Sequence, residues 1–226
     1  MTNKLSTRFT RAKEIYQKEG LVTLLKRIYA SVMSYENNRF YIYEEILKHG
    51  DEADFTPRIN NFMHRTIETT QQLDELLNEG FDLSLLDIKQ VRYRLEKGAI
   101  LALIFVGCEI GWQGWVAMTE EAKDTFNHWP YKVDFANNEA CRGGAWTNPK
   151  YRRQGLLLYG RYIRQEYLLS KGIRKTRGII MTTNTAAVNS QSKSVDRRIY
   201  ATARYIRIFG LQFWKETPIK SIENND

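Results

Sequence analysis

Residues 147–157 have the composition of an anion-binding turn; the segment reads TNPKYRRQGLL. Its proline ends a strand because proline cannot donate to a sheet ladder, and an apolar stripe of helical spacing follows. The first amides of a helix lack internal acceptors, so they point at an incoming anion. Arg152 and Arg153 add charged donors, and Gly155 leaves room for a phosphate oxygen. The segment predicts a phosphate site; a solvated basic turn is the alternative.

Acid–base or nucleophilic chemistry is predicted just upstream of this turn. Glu139 lies at the entry of a predicted strand, where partial burial would raise the pKa of its carboxyl toward the range useful for a general base. Asp134 and Glu109 are weaker candidates for that role. Cys141 shares a strand face with Glu139. Cys141 is either a nucleophilic thiol or, as is commoner for a buried cysteine, a small core residue.

Metal and disulfide chemistry are not indicated. The two cysteines are too far apart for a CxxC clip or a disulfide framework, so we expect free thiols. The three histidines share no ligand spacing, and we expect no metal. The polar start resembles no secretory signal, and the longest apolar run, residues 99–108, is about half of what a bilayer span requires. These features favour a cytoplasmic protein.

Hydrophobic periodicity predicts the elements that position these residues. Strands are predicted at residues 40–43, 99–106, 112–118, 140–147 and 178–182, with one or two more in residues 200–214. Helices are predicted at residues 66–78, 88–95, 154–170 and 186–193. This order indicates an α/β (α+β) domain in which helices flank a central sheet.

The first 36 residues are predicted to form a separate helical arm, followed by a domain over residues 37–226. Apolar residues recur at helical spacing on either side of Gly20, with lysines on the other faces. Such an arm docks on its own domain, lies on a membrane surface or contacts a second copy of the chain in a homodimer. The sequence leaves these three alternatives open.

Positive charge is concentrated in the C-terminal third. The chain carries a net charge of +8, and residues 150–220 contain 16 Lys or Arg against three Asp or Glu. Residues 31–149 contain 11 against 19. A cationic field of this kind attracts nucleic acid, an anionic membrane or a phosphorylated cofactor, unless it is simply a solvated basic face.

The turn resembles the acetyl-CoA signature of the GNAT superfamily of N-acetyltransferases, Arg/Gln-x-x-Gly-x-Gly/Ala after a strand that ends in Thr/Val-x-Pro. Leu157 departs from this signature, because the family usually has Gly or Ala there. Downstream, Asn184 and Lys193 match the spacing of a family Asn and Lys. The usual helix tyrosine, often the general acid, falls on Gln191, which cannot protonate a thiolate.

The resemblance implies a mixed, mostly antiparallel sheet, splayed between its fourth and fifth strands, with acetyl-CoA as co-substrate in the cleft. The backbone of Trp146 and Thr147 would pair with the pantetheine arm, and Asn184 and Lys193 would contact the cofactor from the facing side. Glu139 would be the general base. The pyrophosphate would be held by the turn, at Arg152, Arg153, Gln154, Gly155, Leu156 and Leu157.

The predicted function is transfer of an acetyl or other acyl group from acyl-CoA to a small-molecule amine. Because acids dominate the middle of the chain, a cationic or neutral amine is favoured, and an amino sugar of cell-surface polysaccharide synthesis is one such acceptor. A basic protein that binds nucleic acid is an alternative, although no nucleic-acid partner is expected. A coenzyme A-binding scaffold without catalysis is another, since Leu157 and Gln191 depart from the family pattern.

Overall fold

The computed structural model describes residues 13–14, 16–26, 29, 35–191 and 197–219. In this part of the chain, eight strands form one sheet: β1 (Glu36–Ile46), β2 (Phe62–Ile67), β3 (Ile100–Val106), β4 (Glu109–Ala117), β5 (Glu139–Thr147), β6 (Lys175–Met181), β7 (Arg197–Ile208) and β8 (Leu211–Pro218). The helices are α1 (Thr70–Asn78), α2 (Ile88–Glu96), α3 (Glu120–Phe126), α4 (Leu156–Ser170) and α5 (Thr185–Gln191). Short 3-10 helices span Glu52–Phe55, Phe135–Asn137 and Pro149–Tyr151.

The sheet is mixed and mostly antiparallel, with the strand order β2-β3-β4-β5-β6-β1-β7-β8. The β5–β6 pair is parallel, and the other neighbouring strands run antiparallel. The first strand of the chain therefore lies between β6 and β7, far from β2 in the sheet although next to it in sequence. This architecture confirms the predicted fold class.

The sheet splays between β5 and β6. The two strands pair only from Glu139↔Lys175 to Cys141↔Arg177, after which each continues without the other. Just past the divergence, β5 has a bulge, because two of its residues face one residue of β4. Gly144 lies in the bulge with a φ of +58°, a left-handed conformation that glycine adopts without strain. These are the strands that the sequence counted as fourth and fifth, so the predicted position of the splay is confirmed.

Helices cover both faces of the sheet. On one face, buried side chains of α1, α2 and α3 pack on Leu101, Leu103 and Phe105. On the other face, α4 packs on alternate residues of the same strand, Ala102 and Ile104. The strand β3 is thus buried on both sides, which explains its continuous apolar sequence.

Two elements differ from the sequence-based prediction. The helix predicted at residues 66–78 begins four residues later, because residues 62–67 form β2 and pair with β3. A capping box fixes the true start of the helix: Thr69 accepts a hydrogen bond from the Gln72 amide, and Gln72 bonds back to Thr69. The short helix α3 was not predicted, although Thr119 caps it in the same way through the Ala122 amide.

The described residues of the N-terminal arm are helical at 13–14, 16–26 and 29. Tyr35 is not helical and Glu36 already begins β1, whereas the other residues of the predicted arm lie outside the described residues, so the arm stays a prediction. No helix in the described ranges is long and apolar enough to cross a membrane.

Close packing of α4 on the sheet depends on Gly160. A methyl group at this position would lie 2.5–2.6 Å from ring atoms of Trp112, which is fully buried. We expect Gly160→Ala to lower the free energy of unfolding by about 1–3 kcal/mol, more than the roughly 1 kcal/mol that alanine gains in helix propensity. Chemical denaturation measures this change. Leu158→Ala, on the exposed side of the same helix, serves as the control; an equal loss in both variants would contradict the packing argument.

Candidate functional site

The divergence of β5 and β6 opens a cleft of about 480 Å3. Residues 142–145 of β5 form one wall and residues 178–181 of β6 form the other. The inserted strand β1 contributes Tyr43 and Glu45, and the helices α4 and α5 contribute Arg161 and Ala187. The cleft lies on the α4 face of the sheet, where the bulge of β5 borders it.

The predicted anion-binding turn lies at the beginning of α4. The first helical hydrogen bonds run from the amides of Leu158 and Tyr159 to the carbonyl of Gly155. Within the described part of the chain, the backbone amides of residues 153–157 donate to no protein acceptor. Arg152 and Arg153 are exposed beside them. The turn thus has the free amides and cations that an anion requires.

The structure corrects the reason for Gly155. Its φ is +90°, and a methyl group here would lie 3.2 Å from the Cα of Pro57 rather than in open space. The next amide, that of Arg58, donates to the carbonyl of Gln154 at 2.9 Å. The glycine is therefore required by its left-handed backbone and by the neighbouring loop, not by room for a phosphate oxygen. The same loop closes one side of the turn and adds the exposed Arg58 to its cations.

The other predicted cofactor residues take different positions. Trp146 and Thr147 pair with β4, at Gln113 and Trp112, and the cleft wall begins at the residues just before them. Leu156 is buried in the core, and Leu157 packs against it.

Asn184 lines the cleft, and its side chain caps α5. Its Oδ1 accepts a hydrogen bond from the Ala187 amide at 3.1 Å. Lys193 lies outside the described residues, as does the side chain of Gln191. No position is therefore assigned to either side chain.

The environment of Glu139 argues against the predicted general-base role. Glu139 is 2% exposed at the closed end of the β5–β6 pair, and it does not line the cleft. Its carboxylate forms ion pairs with Lys175 and, at 3.3 Å, with Arg177, and it accepts the Asp134 amide at 3.0 Å. Glu44 shares both cations. A carboxylate held in this way joins the strands β1, β5 and β6 and has no open path to a substrate proton.

The other acid–base candidates also have structural contacts. Cys141 is fully buried, its Sγ lies 3.0 Å from the hydroxyl of Tyr131, and burial raises the pKa of the thiol to about 11. This supports the core role rather than the nucleophilic one. Glu109 pairs with Lys150 at 2.7 Å, and Asp134 accepts from the side chain of Asn137 at 2.7 Å. None of the three lines the cleft.

Sequence reasoning missed a group of arginines in the cleft: Arg142, Arg161, Arg164 and Arg197. They come from β5, α4 and β7, so their proximity depends on the strand order. The sequence held one partial signal, because Arg161 and Arg164 are one helical turn apart on the stripe that α4 turns to the sheet. Among the described residues, no group of His, Cys, Asp or Glu has the geometry of a metal site.

Comparison with known proteins gives structural matches only. No protein-family model and no curated protein sequence matches the chain. A GCN5-related glucosamine N-acetyltransferase region of a fungal multi-domain β-N-acetylglucosaminidase matches with a TM-score of 0.51, at 8% identity, over 87% of this chain and 23% of that one. The chain has a GNAT fold. At this identity, the likeness establishes the fold alone.

Two further GNAT structures are similar to this chain. A tandem GNAT protein from the clavulanic acid biosynthesis pathway covers 86% of this chain and 59% of its own, at 14% identity and a TM-score of 0.48. A GCN5-related N-acetyltransferase from Sphaerobacter thermophilus covers 87% and 57%, at 12% identity and a TM-score of 0.47. This chain therefore spans less than two thirds of the length of these GNAT structures.

Glu139→Gln distinguishes a structural carboxylate from a catalytic one. Removing the charge leaves Lys175 and Arg177 short of a partner, so we expect the free energy of unfolding to fall by about 2–4 kcal/mol. A general base would instead give a loss of about 10²–10⁴ in kcat with little change in stability. Denaturation and, once a substrate is known, kinetics separate the two. Glu109→Gln, in an exposed ion pair, is the control and should change stability less.

Gly155→Ala tests the contact between the turn and the 57–58 loop. The left-handed backbone alone should cost about 1–2 kcal/mol of unfolding free energy, and the contact with Pro57 should add to that cost. Gly172→Ala is the matched control, because Gly172 has a φ of +79° and no atom near its missing methyl group. Equal losses in the two variants would show that Pro57 does not limit the turn.

Proposed function

We propose that this chain is an acyl-CoA-dependent N-acyltransferase. The observation that carries the proposal is the cleft between β5 and β6, which opens on the same side of the sheet as a helix start with free amides. The GNAT fold supports it, because acetyltransferases are among the structures that share this architecture. Acetyl-CoA is the proposed co-substrate, and no metal is part of the proposal.

The turn and the cleft suit different parts of such a cofactor. Phosphates would bind at the free amides of residues 153–157, between Arg58, Arg152 and Arg153. The pantetheine arm would run along the edge of β5 that β6 leaves unpaired beyond Cys141, since amide groups there lack a strand partner. Asn184 would contact it from the facing side.

The reaction would take place at the bulge of β5. The amine nitrogen attacks the thioester carbonyl, the C–N bond forms and the C–S bond breaks; the nitrogen loses one proton and the coenzyme A thiolate gains one. Backbone amides at a bulge are fixed dipoles, and those near Gly144 would stabilise the negative charge on the carbonyl oxygen. Holding amine and thioester together supplies the rest of the rate enhancement.

Among the described residues that line the cleft, none is an unpaired carboxylate that could act as the general base. Glu45 is the one carboxylate among the described residues that line the cleft, and it is paired with Arg142 and Arg197. The proton would therefore leave through water. For the same reason, a coenzyme A-binding scaffold without catalysis is the second candidate function.

The acceptor is proposed to be a small-molecule amine, with an amino sugar of cell-surface polysaccharide synthesis as one example. Nucleic acid is disfavoured, because several arginines of the basic third are already occupied. Arg177 and Arg198 pair with Glu44, and Arg197 pairs with Glu45. We also propose that the N-terminal arm contacts a membrane surface or a second copy of the chain.

Binding of acetyl-CoA and coenzyme A, measured by isothermal titration calorimetry, tests the proposal. We expect both to bind, and the double variant Arg152→Gln/Arg153→Gln to weaken binding about tenfold or more, because two charge-assisted contacts to phosphate are lost. Turnover on an amine panel then separates the enzyme from the scaffold.

The matched control is Lys171→Gln/Arg174→Gln, which removes two positive charges at the far end of α4. The affinity of this variant for acetyl-CoA and coenzyme A should stay close to that of the wild type. At low salt, a small loss is expected because the removed charges attract the phosphates over a long range. Absence of binding in the wild type, or equal weakening in both double variants, would contradict a phosphate site at the turn.

A further inference from the structure

The cleft contains more positive charge than a neutral pantetheine arm requires. Arg142, Arg161, Arg164 and Arg197 all line it, and Glu45 is the one described acid among them. Their side chains are largely withdrawn from solvent: Arg197 is 3% exposed and Arg142 is 11% exposed. Buried charges are costly unless they are paired, so this excess calls for a specific explanation.

One carboxylate serves two of the arginines. Both Arg142 and Arg197 contact Oε2 of Glu45, the latter also through its Nε at 3.0 Å. Arg197 faces Glu45 directly across the β1–β7 pair, and Arg142 reaches it from β5. Each guanidinium still has a buried Nη1 without a hydrogen-bond partner. The Tyr43 hydroxyl, which also lines the cleft, lacks a partner too.

The other two arginines bind neutral groups. Arg161 donates to the carbonyl and hydroxyl oxygens of Ser190, at 3.2 and 2.7 Å. Arg164 donates to the carbonyls of Gly160 and Trp115 and lies over the Trp112 ring. Neither has an acidic partner among the described residues.

These surroundings lower the basicity of the whole group. Burial lowers the pKa of Arg161 and of Arg197 to about 10 and that of Arg164 to about 9, and neighbouring arginines lower the pKa of Arg161 and Arg164 further. Burial and repulsion also lower the pKa of Arg142. Arg161, Arg164 and Arg197 stay cationic near neutral pH, and an anion beside them would relieve the repulsion within the group.

We propose that Arg142 and Arg197 form a binding site for a carboxylate carried by one of the two substrates, with the Tyr43 hydroxyl as a third donor. The proposal rests on the proposed function and specifies its substrate class: either the acyl donor is the coenzyme A half-thioester of a dicarboxylic acid, or the acceptor amine carries a carboxylate. A planar carboxylate suits this site because two guanidinium groups each offer it an N–H donor without a protein partner. Acetyl-CoA would leave these donors unsatisfied.

The donor arm of the test compares succinyl-CoA with butyryl-CoA, which has the same number of acyl carbons and no carboxylate. If the donor carries the carboxylate, succinyl-CoA binds the wild type at least about tenfold more tightly, as expected for charge-assisted hydrogen bonds. The acceptor arm compares L-amino acids with their amides, titrated into the protein saturated with coenzyme A. If the acceptor carries it, amino acids bind and their amides do not.

Arg197→Gln tests the residues. It should abolish whichever preference the wild type shows while leaving butyryl-CoA affinity within about twofold, because the neutral thioester does not use the guanidinium. The control is Arg198→Gln: its side chain is adjacent in β7, 68% exposed and paired with Glu44 instead. The wild-type comparisons decide the proposal even where Arg197→Gln does not fold.

The possible failures are distinguishable. If butyryl-CoA and succinyl-CoA bind equally and amino acids bind no better than their amides, the carboxylate site is overturned while the proposed function stands. If Arg197→Gln weakens coenzyme A, butyryl-CoA and succinyl-CoA alike, the arginines serve the cofactor phosphates and the proposal is also overturned. If no coenzyme A compound binds, the proposed function and the carboxylate site fail together.

Discussion

The site depends on a parallel strand pair that is only three residues long. The β5–β6 pair ends at Cys141 and Arg177, and every feature of the cleft follows from that early end. Beyond this pair, backbone N–H and C=O groups on the facing edges of β5 and β6 have no strand partner. A ligand that lies between the two strands can form hydrogen bonds with these groups. At the closed end, Glu139 and Glu44 share Lys175 and Arg177, which holds the strands together where they do pair. Glu139, which the sequence suggested as a general base, therefore helps to hold β5 and β6 together where the splay begins.

The first strand of the chain is the second constraint. By inserting between β6 and β7, β1 brings two adjacent glutamates to opposite faces of the sheet, because successive strand residues alternate. Glu44 joins the network around Glu139, whereas Glu45 enters the cleft and meets Arg142 and Arg197. Each glutamate lies across from an arginine of β7 in register, so the insertion is matched by cross-strand charge pairs.

The described Lys and Arg side chains of the C-terminal third include groups in three different surroundings. Part of the positive charge is neutralised within the sheet, as at Arg177 and Arg198. Part lies exposed at the start of α4, where Arg152 and Arg153 flank free amides. A third part, Arg161 and Arg164, lines the cleft without acidic partners among the described residues. A net charge alone does not separate these groups, which differ in what they can bind.

The sequence by itself determined the elements whose signals are local. The apolar run of β3, the stripe of α4 and the proline before the turn predicted an α/β domain with helices on a central sheet, because periodicity and backbone chemistry act over a few residues. The position of the splay came from the resemblance of the turn to the GNAT signature. It did not predict β2, whose six residues lack clear alternation, or the place of β1 in the sheet. Only the tertiary structure decided the surroundings of Glu139, the Pro57 contact of Gly155 and the grouping of four arginines in the cleft. Each of these depends on residues distant in sequence, and their approach is set by strand order and register, which no local pattern encodes.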